Sequence, residues 1–365
     1  MAGYVSNVKS DIERWVSGGL IDRVTAGRLI ADVERRAGRG LSFGSVLAIM
    51  AAVLVGAAVL LFVAANWEEI PRLARAGALF CLILAGYVGG AVLKARGNAG
   101  FGEALYLVGC AAFGGSIALI GQMYHITGDE RQAVLVWCAG TMLAAGLLRS
   151  PALTNAAVVL AVAWLVLGFD AFGRDGPDWR YLPLGALLWA VSYWSGSAAA
   201  RHLLLLSLIL FGVMLGMEGD AVTVGIAMAL LSCALFLAAL FARDAVERFA
   251  RLGGPYPAHP LVGFLTGIGM VQVELGDEFG PMLLTSLVAF AGIVAALLLR
   301  GRESRLMRWI AYIAFVIELC VVYMVTLGTM METSALFLFS GVALAVVAWL
   351  IMRIERRMAP QEGST

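Results

Sequence analysis

Apolar runs of roughly twenty residues, parted by short polar stretches, recur along the chain from about residue 41 onward. A helix rises 1.5 Å per residue, so such a run is long enough to cross the hydrocarbon core of a bilayer. The pattern predicts spans at 41–65, 73–93, 101–123, 132–148, 151–169, 181–195, 201–217, 220–241, 258–275, 280–299, 306–328 and 333–352. Two of them are less regular: 181–195 is short and holds Pro183, and 258–275 follows Gly253-Gly254-Pro255. The first forty residues differ in kind. Ile12, Trp15 and Val16 share a helical face, Gly18-Gly19 interrupts it, and Asp22 can cap a second helix carrying Leu29, Ile30 and Val33. The predicted fold is therefore all-α: a polytopic helical membrane protein of about twelve transmembrane helices, preceded by a small cytoplasmic helical hairpin.

Composition sharpens this reading. Of 365 residues, 61% are hydrophobic and 14% charged, whereas soluble domains carry about 25% charged residues. A soluble enzyme, a secreted protein and a disordered chain are excluded. The net charge of +1 gives no electrostatic case for a nucleic-acid partner. Cys81, Cys110, Cys138, Cys233 and Cys320 all fall in apolar segments without a CxxC pair, which predicts small core residues, no metal and no disulfide framework. The forty polar residues ahead of the first apolar run do not fit a cleavable signal peptide. No GxxxxGK[ST], HExxH or GxSxG motif is present, so ATP-driven pumping, zincin chemistry and hydrolase chemistry lose support, and no cofactor is expected.

Basic residues fix the expected orientation. With the N-terminus inside, 21 of the 26 Lys and Arg residues fall on the cytoplasmic side, leaving Arg72, Arg75, Arg131, Arg174 and Arg180 outside. Both termini are expected in the cytoplasm. The chain then divides into a hairpin (1–40), a four-span module (41–150), eight further spans (151–352) and a cytoplasmic tail (353–365).

Leu61-Phe62-Val63-Ala64-Ala65-Asn66-Trp67-Glu68-Glu69-Ile70-Pro71 closes the first predicted span, and Gly121-Gln122-Met123-Tyr124-His125-Ile126-Thr127-Gly128-Asp129 closes the third, ahead of Leu135-Val136-Trp137. With the hairpin, these turns resemble the bacterial integral-membrane family called domain of unknown function 2157, over residues 10–150. The resemblance implies a multi-pass bacterial inner-membrane protein without an established activity, and it brings no catalytic residues. The other 215 residues read as generic membrane helices.

Two groups of residues carry candidate chemistry. The predicted topology puts Asn66, Trp67, Glu68 and Glu69 on the same periplasmic side as Gln122, Tyr124, His125, Asp129 and Glu130. Carboxylates beside an imidazole can bind a cation, relay a proton or hold a polar headgroup. Equally, Trp67 and Tyr124 suit an interfacial aromatic belt, and Asn66 and Asp129 suit helix ends. His202 and His259 fall on the opposite side. Glu318, near the centre of the eleventh span, is the second candidate. A charged carboxylate there costs about 2.5–3.5 kcal/mol on insertion scales. No basic residue lies within a turn or two, so its partner comes from another helix or it is protonated. It is either a proton or solute ligand or a neutral acid joining helices. Glu103, at the cytoplasmic start of the third span, is less informative.

Gly115, Gly121 and Gly128-Asp129-Glu130 recur 148 residues later as Gly263, Gly269 and Gly276-Asp277-Glu278, which suggests two parallel halves and marks Asp277 and Glu278 as a second acidic turn. Gly86-xxx-Gly90, Gly212-xxx-Gly216 and Gly263-xxx-Gly267 allow close helix contact. The leading expectation is a secondary transporter or flippase-like protein for a small or lipid-linked solute. The alternatives are a scaffold or assembly factor that binds protein partners through the hairpin, and a membrane-embedded enzyme acting on lipid headgroups through His125.

Overall fold

The computed structural model describes residues 2–37, 70–123, 128–169, 176–252, 258–276, 278–300 and 305–328, with single residues 54 and 341. The chain divides into two compact units, Met1–Arg75 and Ala76–Thr365. In the first, α1 (Ala2–Ser17) and α2 (Arg23–Ala37) pack together as a hairpin, with Ile12 and Ala26 buried. Gly19 turns the chain at φ +70, and the Asp22 carboxylate accepts from the Val24 and Thr25 N–H groups. The hydroxyl of Thr25, with those N–H groups, holds this carboxyl below its ordinary pKa. Trp15, predicted on the shared face, remains 42% exposed.

Eleven further helices follow: α3 (Arg72–Ala95), α4 (Ala99–Met123), α5 (Glu130–Leu148), α6 (Pro151–Leu167), α7 (Tyr181–Ser195), α8 (Ala198–Glu218), α9 (Ala221–Phe241), α10 (Arg243–Ala250), α11 (His259–Glu274), α12 (Phe279–Arg300) and α13 (Arg305–Gly328). No strand occurs among the described residues. Apart from the short α10, these helices coincide with the ten predicted spans from 73–93 to 306–328. Seven of them are long and apolar enough to cross a membrane. The predicted spans at 41–65 and 333–352 lie outside the described residues, single residues 54 and 341 apart. Pro183 does not interrupt α7 because it sits in the first turn, where the backbone N–H has no intrahelical acceptor.

The surface is that of a membrane protein. Large side chains such as Leu73, Phe80, Leu147, Leu230 and Phe241 are exposed, while Thr141, Ser207, Gln272 and Glu318 are buried. Among the described residues the buried apolar side chains form four clusters, two of them larger than the others. One joins α5 to α8 through Cys138, Leu165, Tyr181, Leu188 and Leu204; the other joins α9, α11, α12 and α13 through Ala239, Leu261, Ile293, Met307 and Ala311. Of the five cysteines expected inside, Cys110 and Cys138 are buried, but Cys81, Cys233 and Cys320 are exposed. An apolar side chain gains nothing by turning inward when its surroundings are lipid.

Small residues set the tightest crossings. A Cβ on Gly267 would stand 2.5 Å from the Gly225 carbonyl oxygen, and one on Gly86 would stand 2.7 Å from the Gly109 Cα. Those contacts join α9 to α11 and α3 to α4.

Several residues also recur at a second spacing. Gly121, Met123, Gly128 and Asp129 return as Gly212, Met214, Gly219 and Asp220, 91 residues on. Asp129 caps α5 by accepting from Arg131 N at 2.9 Å, and Asp220 caps α9 by accepting from Val222 N at 3.0 Å. Ser116 Oγ donates to Phe113 O at 2.6 Å, and Ser207 Oγ to Leu204 O at 2.7 Å. Cys138 Sγ meets Ala157 O where α5 crosses α6, and Ala229, 91 residues later, meets Gly267 where α9 crosses α11. Four helices, an even number, separate these counterparts, so chain direction is kept. The 148-residue spacing fares worse. Gly115 faces open space while Gly263 is pressed against Ser232, and Asp277 lies outside the described residues.

Candidate functional site

Glu318 occupies the middle of α13, roughly 20 Å along the axis from Arg305 at 1.5 Å per residue. The side-chain periodicity of α13 points it inward: neighbouring Val316 and Ile317 are exposed, while Glu318 is 7% exposed. Its partner comes from another helix, as the sequence requires. Gln272 Nε2 on α11 donates to Glu318 Oε1 at 2.6 Å, and to Ser286 Oγ on α12 at 3.2 Å. Both amide protons of Gln272 are thereby used, and all three residues are buried. Among the described residues no cation pairs with Glu318.

This arrangement serves either protonation state. The amide donates to a carboxylate as it stands, and turned over it would present its oxygen to a protonated acid. Gln272 lies two residues before the end of α11. The turn beyond it brings exposed Glu274 and Glu278 to the same end of the bundle. The buried group is thus about one helical turn from an acidic surface. Gln272 and Ser286 were not singled out from the sequence, because a lone Gln or Ser in a membrane helix carries no periodic signal.

The expected cluster at the ends of the first and third spans falls largely outside the described residues, which include none of Asn66, Trp67, Glu68, Glu69, Tyr124 or His125. Gln122 is exposed at the end of α4, and Asp129 serves as the cap of α5.

Beside that cap, Arg131 pairs with Asp178 at 2.7 Å and lies over the Trp164 ring at 4.4 Å. Burial acts to raise the Asp178 carboxyl, but the Arg180 N–H and the Arg131 guanidinium outweigh it and hold the group below the ordinary carboxylate range. At the opposite end Glu103 does more than the sequence suggested. It accepts from Lys94 Nζ at 2.6 Å, from Ser150 Oγ and from Ala152 N at 3.2 Å. One carboxylate so ties α3 and α4 to the N-terminus of α6. His202 and His259, 57 residues apart, stack at the same end with ring centroids 5.0 Å apart.

Among the described residues no group of three or more His, Cys, Asp or Glu is placed to hold a metal ion. No curated protein and no solved structure matches the chain. Residues 13–154 match the family described as predicted membrane protein (DUF2157), and over that range the chain is similar to this family of multi-span membrane proteins of unknown function.

Proposed function

We propose that the protein is a secondary transporter or flippase-like protein for a small or lipid-linked solute, with Glu318 as its intramembrane proton or solute ligand. The observation that carries this reading is a buried mid-helix carboxyl whose partner is a neutral amide, with no cation beside it among the described residues. A buried carboxyl without a counter-charge beside it offers an arriving cation or polar solute a place to bind. The acidic turn holding Glu274 and Glu278 gives cations a place to gather one helical turn away. The basic-residue bias supports a periplasmic position for this turn, with both termini in the cytoplasm of a bacterium. The 91-residue recurrence supports the reading as well, since parallel repeats are a common plan of transporters.

The test is water access. In a variant lacking the five native cysteines, Cys is placed at 317, 318 and 319, with Glu278→Cys as an exposed control, and cells are treated with a membrane-impermeant thiol reagent. Labelling at 278 and 318 but not at 317 or 319 is expected. Silence at 318 with labelling at 278 would overturn the reading.

A scaffold role is the second reading, and one observation favours it. The hairpin keeps Trp15, Leu20, Val24 and Leu29 exposed, at 42%, 75%, 65% and 39%. Cross-linking from Leu20→Cys to a protein other than this chain would support it.

A further inference from the structure

Arg201 is a buried cation without an ion-pair partner among the described residues. It stands in the first turn of α8 and is 4% exposed. Its guanidinium donates to Ser192 O at 2.9 Å and to Arg251 O at 2.6 Å, while its Nε is buried with no acceptor. No carboxylate of the described residues forms an ion pair with it. Glu247 on α10 attracts it at longer range, and Arg251 repels it. A second cation, Arg251, therefore stands close to the first. Arg201 and Arg251 lie 5.2 and 5.5 Å from the centroid of the same Tyr193 ring, and Arg251 is exposed.

The neighbouring helix end adds positive potential. His202 and His259 stack beside it, but His202 Nε2 meets Leu252 O at 3.3 Å and its Nδ1 meets His259 Nε2 at 3.4 Å, so the N–H groups of this pair are already used. His259 opens α11, whose N-terminus has no side-chain cap. Unsatisfied N–H groups at a helix N-terminus carry partial positive charge and suit an anion. The same end of the bundle has the marks of a membrane–water boundary. Arg149 lies over the Trp194 ring at 4.0 Å, and Trp194 is 59% exposed.

We propose that Arg201 and Arg251, beside the N-terminus of α11, form a phosphate-binding site, filled by the headgroup of an anionic phospholipid or by a soluble phosphate ester. The guanidinium of Arg201 forms its floor and supplies the unused Nε–H, and Arg251 closes its rim. Guanidinium groups pair strongly with phosphate oxygens, and basic pockets between helix ends hold anionic headgroups. This site is independent of Glu318 and needs no transport.

The full chain, purified in detergent, is titrated with dioleoylphosphatidylglycerol or dioleoylphosphatidylcholine, and bound lipid is counted by native mass spectrometry. In parallel, its melting temperature is followed with millimolar inorganic phosphate. Preference for the phosphatidylglycerol is expected, falling about tenfold in Arg201→Gln and Arg251→Gln as a charge-assisted contact is lost. It is unchanged in Arg96→Gln, an exposed cation between α3 and α4. A phosphate-dependent rise in melting temperature that disappears in both variants would assign the site to a soluble ester instead. Should Arg201→Gln fail to fold, Arg251→Gln decides alone, since its side chain is exposed. If Arg251→Gln binds both probes as the unaltered protein does, or Arg96→Gln loses as much, the site is refuted.

Discussion

Glu103 and Glu318 are both carboxylates within the helical body, and their surroundings teach opposite lessons. Glu103 sits near a helix start with a lysine, a hydroxyl and a backbone N–H aimed at it. Its charge is matched at once, and its partners come from two other helices, α3 and α6. Glu318 lies in mid-helix and meets one amide. A matched carboxylate is a clamp, because losing its charge strands the partners. An unmatched one can exchange a proton at little structural cost, because the amide serves both forms. Location alone does not separate them; the presence of a counter-charge does.

Substitutions can break this contrast. Glu103→Ala is expected to have the largest effect on stability, about 3 kcal/mol, because Lys94, Ser150 and Ala152 N all lose their acceptor in a partly buried site. Unfolding in mixed micelles measures it. Glu318→Ala should cost less, about 2 kcal/mol, from the void and the orphaned amide. Glu318→Gln should stay within about 1 kcal/mol of the unaltered protein, since an amide replaces the acid without loss of volume. A large loss on Glu318→Gln, matching that of Glu103→Ala, would erase the distinction. Ser286→Ala is smaller still, about 1 kcal/mol or less, as Gln272 keeps its bond to Glu318.

Asp178 supplies a third, milder case. Its pKa is lowered in the folded chain, so its contribution is present above the unfolded carboxylate pKa and fades as pH falls through the folded value. As pH falls below the ordinary carboxylate range, Asp178→Asn and the unaltered protein should converge in stability, from a difference of under about 1 kcal/mol at neutral pH.

Much of the fold was legible because a membrane span announces itself by length and apolarity. Pro183 misleads only a reader who ignores its place in the first turn. The partner of Glu318 was legible as a necessity but not as a residue, because Gln272 lies 46 positions away and no local pattern links them. Glu103 was undervalued for the same reason: its ties to Lys94 and Ser150 exist only once α3, α4 and α6 meet. His202 and His259 appeared as two isolated residues, and only the packing of α8 beside α11 stacks them. The 148-residue recurrence stays an expectation, since Asp277 lies outside the described residues. Glycines are abundant here, so chance matches compete with true ones; Asp129 and Asp220, which cap helices, were the better markers.

The central claim is that Glu318 exchanges a proton with water. The most direct measurement is an infrared titration of the full chain in lipid, comparing unaltered protein with Glu318→Gln and reading the C=O stretch of a protonated carboxyl. The account predicts a band present at low pH, absent in Glu318→Gln and reversibly lost as bulk pH rises. A band assigned to Glu318 that ignores bulk pH would make it a sealed structural acid and contradict the account.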